Sequence, residues 1–136
     1  MKDTINKRIK RRESFRPFAP SVLEDYTGVW FELSYPVNFM EKVYRVKQEK
    51  RDDIPSVVHV DGTGRLQTVS ERINQNYYNL IDEFRKLTNV PVVLNTSFNE
   101  NEPIVNTPQE AIECFKRSGM DVLIMNNYYI TLDRNQ

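Results

Sequence analysis

Residues 74–94 constrain the fold more than any other stretch of the chain. Tyr77, Leu80, Ile81, Phe84 and Leu87 recur at the 3.6-residue period, so 74–87 reads as a helix with one apolar face. Asn89 closes it, and Val90-Pro91-Val92-Val93-Leu94 follows at once as a short unbroken apolar run, the pattern of a buried strand. An amphipathic helix feeding directly into a buried strand points to α/β layering. The pattern then returns. Thr107-Pro108-Gln109-Glu110 combines a capping threonine, a proline at the first helical position and a glutamate at the third. Ala111, Ile112 and Phe115 face inward, Gly119 ends that helix, and Val122–Met125 is a second buried strand, with a last strand over 128–132. The expected fold class is α/β: a single domain over 1–136, with a twisted mixed β-sheet and flanking helices.

The remaining segments read less regularly. Residues 4–13 form a short helix capped by Asp3 or Thr4, with Ile5 and Ile9 on one face. Pro17 and Pro20 forbid a regular helix there, and Phe15, Phe18, Val22 and Leu23 are expected to pin this segment to the core. Ser21 and Glu24 have capping-box spacing, which predicts a helical turn over 22–27. Tyr26, Val29, Trp30 and Phe31 read as a core cluster, 40–47 as a strand and 48–54 as a solvated loop. Val57, Val58 and Val60 run into Asp61-Gly62-Thr63-Gly64, and Leu66, Thr68 and Val69 run out of it, which predicts a β-hairpin.

Composition narrows the function classes. Of the 136 residues, 39% are hydrophobic and 28% charged, which fits a globular chain and not a disordered one. No apolar run is long enough to span a bilayer, and no signal peptide is read. Cys114 is the only cysteine, so an internal disulfide and a Cys-based zinc site are excluded; a core position and a cytoplasmic setting are expected. Residues 1–16 carry seven basic residues against Asp3 and Glu13, so the remainder of this neutral chain is acidic. A basic block of this kind is a nucleic-acid arm, a solvated face or an anion site. The pI near 6.6 argues against non-specific nucleic-acid binding.

Several side chains have the chemistry of an anion site. Arg16 stands between Phe15 and Phe18 in a proline-stiffened segment, which can hold a guanidinium in place. Ser97 and Asn99 present a hydroxyl and an amide just after a buried strand, where ligands gather in open α/β sheets. Gly62 and Gly64 leave backbone N–H groups uncovered, and Arg65 supplies a planar donor fork beside them. Each has an ordinary alternative: an exposed arginine on a connector, a Ser/Asx turn, a plain hairpin. His59, the only histidine, is either a hydrogen-bonding residue near a site or a strand residue.

Taken together, Lys10-Arg11-Arg12-Glu13-Ser14-Phe15-Arg16-Pro17-Phe18-Ala19-Pro20, His59–Gln67 and Leu94–Asn99 followed by Glu102-Pro103-Ile104-Val105, with Met120-Asp121, resemble the C-terminal domain of the O-carbamoyltransferases. That family includes nodulation protein U and the cephamycin and tobramycin carbamoyltransferases. The resemblance covers nearly the whole chain. It implies a YrdC/Sua5-like fold, whose signature, Lys-x-Arg followed far downstream by Ser-x-Asn, is matched by Lys10 with Arg12 and by Ser97 with Asn99. It implies that this domain uses carbamoyl phosphate and ATP, with Mg2+, to make carbamoyl-adenylate. An N-terminal Kae1-like part of the same enzyme, which holds a further metal ion, then transfers the carbamoyl group.

In that reading Lys10, Arg12, Arg16 and Arg65 hold the carbamoyl phosphate and ATP phosphates. Ser97 and Asn99 position the nucleotide phosphates or the carbamate, Asn95 shapes the loop, and His59 is a candidate for hydrogen bonding. Lys10, Arg12, Arg65 and Ser97 carry the catalytic assignment. The chain is expected to start within the stretch that joins the two parts. Asn101 stands where the family usually has glycine, and asparagine tolerates positive φ. Expected partners are the two substrates and the N-terminal part, with a homodimer left open and neither membrane nor nucleic acid expected. A second function class, a non-catalytic RNA-binding or regulatory module of the same fold, rests on the basic block and predicts a steep salt dependence.

Overall fold

The computed structural model describes residues 1–132. In chain order, helix α1 (Lys2–Thr4) runs into a π-helical stretch, Ile5–Ile9; strand β1 (Ala19–Leu23) leads through a 3-10 turn, Glu24–Tyr26, into α2 (Thr27–Trp30); β2 (Tyr44–Arg45) precedes a second 3-10 turn, Gln48–Lys50. Then come β3 (Thr63–Gly64), β4 (Gln67–Val69), α3 (Gln75–Thr88), β5 (Val92–Asn95), α4 (Pro108–Ser118), β6 (Val122–Met125) and β7 (Tyr128–Thr131). The architecture is mixed α/β with small sheets. The chain forms two compact units, one of Pro17–Thr96 and one of Met1–Arg16 with the stretch from Ser97 onward.

The Pro17–Thr96 unit holds a mixed three-stranded sheet in the order β4-β1-β5. β4 runs parallel to β1, from Ser21↔Gln67 to Leu23↔Val69, and β5 antiparallel, from Ala19↔Asn95 to Val22↔Val92. The predicted helical turn over 22–27 is corrected here. Ser21, Val22 and Leu23 belong to the central strand, all five of whose residues are buried, and helical structure starts only at Glu24. Burial between two strands outweighs a local capping signal. Pro20 lies one residue before the parallel ladder begins, so its missing N–H leaves that ladder whole.

Leu23, Val69 and Ile81 form the buried centre, with Tyr26, Tyr77, Tyr78 and Val93 packed on it. Ile81 is the one buried residue of α3; Leu80, Phe84 and Leu87, read from sequence as the same apolar face, are exposed. Asn89 ends α3 in the left-handed conformation (φ 62°), as read.

The hairpin expected around Asp61–Gly64 does not form. The turn exists: the Gly62 N–H donates to the His59 carbonyl (2.9 Å), the His59 N–H donates to the Thr63 carbonyl (2.7 Å), and Gly62 supplies φ 80°. The arms part after it. β3 pairs antiparallel with β2, β4 pairs with β1, and Val60 is fully exposed. The Cα of Gly62 is covered by the Arg51 guanidinium, which a Cβ would meet at 2.6 Å, and Gly64 is buried. Of the strand read over 40–47, only Tyr44–Arg45 is regular.

In the other unit β6 and β7 pair antiparallel, from Val122↔Thr131 to Met125↔Tyr128, and make a sheet of their own. Ala111 and Phe115 of α4 pack on Leu123, with Phe98, Val105, Ile112, Met120 and Ile130 around them. The capping box is present as read: the Glu110 N–H donates to Thr107 Oγ1 (3.2 Å) and the Thr107 N–H donates to the Glu110 carboxylate (3.1 Å). Gly119 ends α4 at φ 62°, and Cys114 is a buried free thiol. β6 is a half-buried strand, not a buried one: Leu123 points inward while Ile124 is exposed. The helix read over 4–13 is shorter and wider, and Arg11, at φ 45°, turns the chain out of it. Phe15 is 74% exposed, so it does not pin its segment. No helix among the described residues is long and apolar enough to cross a membrane.

Candidate functional site

The π-helical stretch Ile5–Ile9 ends at Lys10. The Lys10 N–H reaches back to the Ile5 carbonyl (2.8 Å) and the Arg12 N–H to the Asn6 carbonyl (2.9 Å). With Arg11 left-handed between them, Lys10 turns inward to 3% exposure while Arg11 faces solvent. The Lys10 ammonium then meets the loop after Thr96. Its Nζ donates to the carbonyl (2.5 Å) and hydroxyl (3.3 Å) of Ser97, and to the carbonyl (2.8 Å) and Oδ1 (2.9 Å) of Asn99. Asn99 Nδ2 donates to the Glu102 carbonyl (2.7 Å), which fixes the amide with its oxygen toward the lysine. Ser97 Oγ donates to that same oxygen (2.7 Å). Burial and the nearby Arg12 guanidinium lower the Lys10 pKa, against smaller opposing effects of Cys114 and Glu102. Three ammonium hydrogens facing four oxygens are saturated, so Lys10 must exchange one of these partners to reach a phosphate.

Lys10, Arg12, Arg16, Ser97 and Asn99 line one open cleft of about 400 Å3, with Arg11, Glu13, Glu100 and Asn101 completing its wall. Arg12 is half-buried, and its Nε donates to Asn6 Oδ1 (2.8 Å); burial first, then Arg16, lowers its pKa. Arg16 pairs with Glu13 (2.8 Å) and Arg11 with Glu100 (2.8 Å). Four cations against two carboxylates leave the cleft a net charge of +2. A positive pocket rich in N–H and O–H donors suits a polyanion.

Three of the residues read as site candidates belong to the Pro17–Thr96 unit. Asn95 ends β5, and its Nδ2 donates to Gln67 Oε1 (2.8 Å), an oxygen that Ser21 Oγ also reaches (3.2 Å). Its side chain is therefore tied to the sheet. His59 is half-buried, with Nδ1 at 3.2 Å from Thr63 Oγ1. Thr63 Oγ1 donates its one hydrogen to Asp61 (2.6 Å), which leaves it an acceptor toward the ring. Arg65 is exposed.

Residues 1–132 match the family model described as carbamoyltransferase C-terminus. The chain belongs to the carbamoyltransferase C-terminal family. It is 49% identical over 135 residues to nodulation protein NolNO of Sinorhizobium fredii, an alignment that covers 95% of this chain and 20% of that protein. It is 44% identical over 133 residues to nodulation protein NolO of Bradyrhizobium diazoefficiens (95% and 24%), and 42% over 99 residues to nodulation protein U of Rhizobium tropici (73% and 17%). The chain thus spans no more than a quarter of the length of these curated relatives.

Within this carbamoyltransferase C-terminal domain, two side chains of the cleft region escaped the sequence reading. Asn6 is fully buried, and its place beside Ile5 and one turn before Ile9 is the one local sign of it. Glu100 has a side chain only 9% exposed, set between Arg11 and Arg117 (3.8 Å), and nothing in its neighbours marks it.

Proposed function

We propose that this chain is the part of an O-carbamoyltransferase that binds carbamoyl phosphate and ATP and forms carbamoyl-adenylate on a YrdC/Sua5-like fold. Transfer to an acceptor hydroxyl then falls to a Kae1-like N-terminal part of the longer enzyme. The observation that carries this is Lys10, bonded to Ser97 and Asn99 from 87 and 89 positions away, at a cleft that Arg12 and Arg16 also line. A separation of that size closed by four hydrogen bonds is a built arrangement. Membership of the carbamoyltransferase C-terminal family supports the reaction class.

The chemistry needs two polyanions held together. Water releases carbamate and inorganic phosphate from carbamoyl phosphate. A carbamate oxygen then attacks the α-phosphorus of ATP, the bond to the bridging oxygen breaks, and pyrophosphate leaves. Arg12 and Arg16 neutralise the phosphates, and the Ser97–Asn99 loop, stiffened by Lys10, orients the carbamate. No group of three or more His, Cys, Asp or Glu side chains that suits a metal gathers among the described residues, and both cleft glutamates pair with arginines. Mg2+ therefore fits as an ion carried on the ATP phosphates, where it screens charge.

The test is carbamoyl-phosphate-dependent exchange of labelled pyrophosphate into ATP by the purified chain. Exchange above background, lowered at least tenfold in Lys10→Met and Arg12→Ala, is the expected result. No exchange together with no binding of either substrate sinks the proposal.

A further inference from the structure

The stretch that carries Arg12 and Arg16 has almost nothing apolar to hold it down. Of residues 11–16, none is buried, and Phe15 projects into solvent. Beside the surface Arg11–Glu100 pair, its buried tie is Asn6, whose residue exposure is zero. Asn6 Nδ2 donates to the carbonyls of Ser14 (3.2 Å) and Arg16 (2.9 Å), its Oδ1 accepts from Arg12 Nε (2.8 Å), and its own carbonyl accepts the Arg12 N–H (2.9 Å). Both amide hydrogens and both oxygens are thus engaged, and only one orientation of the carboxamide satisfies all partners. A buried amide is costly unless every polar atom is paired, and packing alone is better served by an apolar side chain of the same size. The pairing here reaches residues 12, 14 and 16, the length of the arginine-bearing strap.

We propose that Asn6 is a positioning residue for anion binding. Its carboxamide sets the direction of the Arg12 guanidinium and closes the strap so that Arg12 and Arg16 both line the cleft. It touches no substrate and acts through the two arginines. The identity of the anion rests on the carbamoyl-phosphate reading above; the geometry of the strap does not. A guanidinium tethered at Nε is held in one direction, and a donor fork held in place loses less freedom on binding a phosphate.

Two measurements on the whole chain separate the claims. The first is hydrogen exchange at Arg12 Nε by NMR, with no ligand present. Exchange should be slow in the native protein and at least tenfold faster in Asn6→Ala; an unchanged rate overturns the proposal. The second is titration with carbamoyl phosphate. Asn6→Ala should weaken binding at least tenfold in the native background and less than twofold in an Arg12→Ala background, because the two side chains act as one unit. An equal loss in both backgrounds is what a merely structural asparagine gives, and it overturns the positioning role. If the native chain binds no carbamoyl phosphate, the ligand assignment fails, while the exchange rate still decides whether Asn6 positions Arg12. Should Asn6→Ala not fold, Asn6→Asp takes its place. It keeps the acceptor for Arg12 but removes both donors, so Arg12 Nε should stay protected while the heteronuclear NOE of residues 11–16 falls. A strap as rigid as the native one in Asn6→Asp counts against the proposal.

Discussion

Glu102 anchors its loop from both its backbone and its side chain. Its carbonyl fixes the Asn99 amide, and its carboxylate accepts from Arg117 (2.6 Å) and the Asn101 N–H (3.0 Å). Backbone N–H groups, its own first and then those of Asn101 and Glu100, with a smaller contribution from the Cys114 thiol, hold its pKa down to about 2. A depressed folded value means that the ionised form is favoured by folding. The stability it supplies is complete above the ordinary value of 4.5 and is lost as pH falls from there through about 2. Thermal melts of the native chain and Glu102→Gln should therefore differ most near neutrality and converge between pH 4.5 and 2. A gap as wide at pH 2.5 as at pH 7 contradicts this account. Lys10 makes the complementary point about what a sequence shows. The Lys-x-Arg and Ser-x-Asn pairs were visible as motifs through the family resemblance, but the motif does not say where each cation points. Only the folded chain turns Lys10 onto the loop oxygens and leaves the arginines to the cleft.

At the scale of elements, α3 and α4 separate what is local from what is not. The capping box of α4 was read from four residues because the groups that satisfy one another lie within one turn. Thr107→Ala should lower unfolding free energy in urea by about 1 kcal/mol, from the lost cap. The face of α3 was read from period alone, and the period was right while the burial was not. Five apolar residues share the face, yet only Ile81 is buried, with Tyr77 half-buried on the same cluster and Leu80, Phe84 and Leu87 exposed. Ile81→Ala should lose about 2–5 kcal/mol. Leu87→Lys, on a side chain 86% exposed, should stay within about 0.5 kcal/mol of the native chain. Equal losses at the two positions in the same urea titration contradict the packing described here. The hairpin failed for a related reason. A Gly-containing turn dictates a reversal of the chain, but the partner of each arm is chosen by where β1 and β2 lie, and both were distant in sequence.

For the whole molecule, the proposed reaction depends on charge screening that the protein's own cations only begin. The cleft carries +2, while carbamoyl phosphate and ATP together bring several negative charges. Withdrawing Mg2+ with EDTA should therefore lower pyrophosphate exchange more than tenfold, with recovery on adding Mg2+; undiminished exchange removes the metal from the reading. The α/β class, the two main helices, their caps and the buried position of Cys114 were determined by the sequence, because propensity, period and capping act within a few residues, while β5, read as a buried strand, is buried only at Val92. The tertiary structure alone decided three things. It made Ala19–Leu23 a central strand, it left most of the α3 face open, and it used Asn6 and Lys10 as internal ties at the cleft. The ties at the cleft join groups 6 to 89 positions apart in the chain. Whether a side chain at that distance ends in water, in the core or on a charged partner is settled by packing and desolvation, which no local pattern encodes.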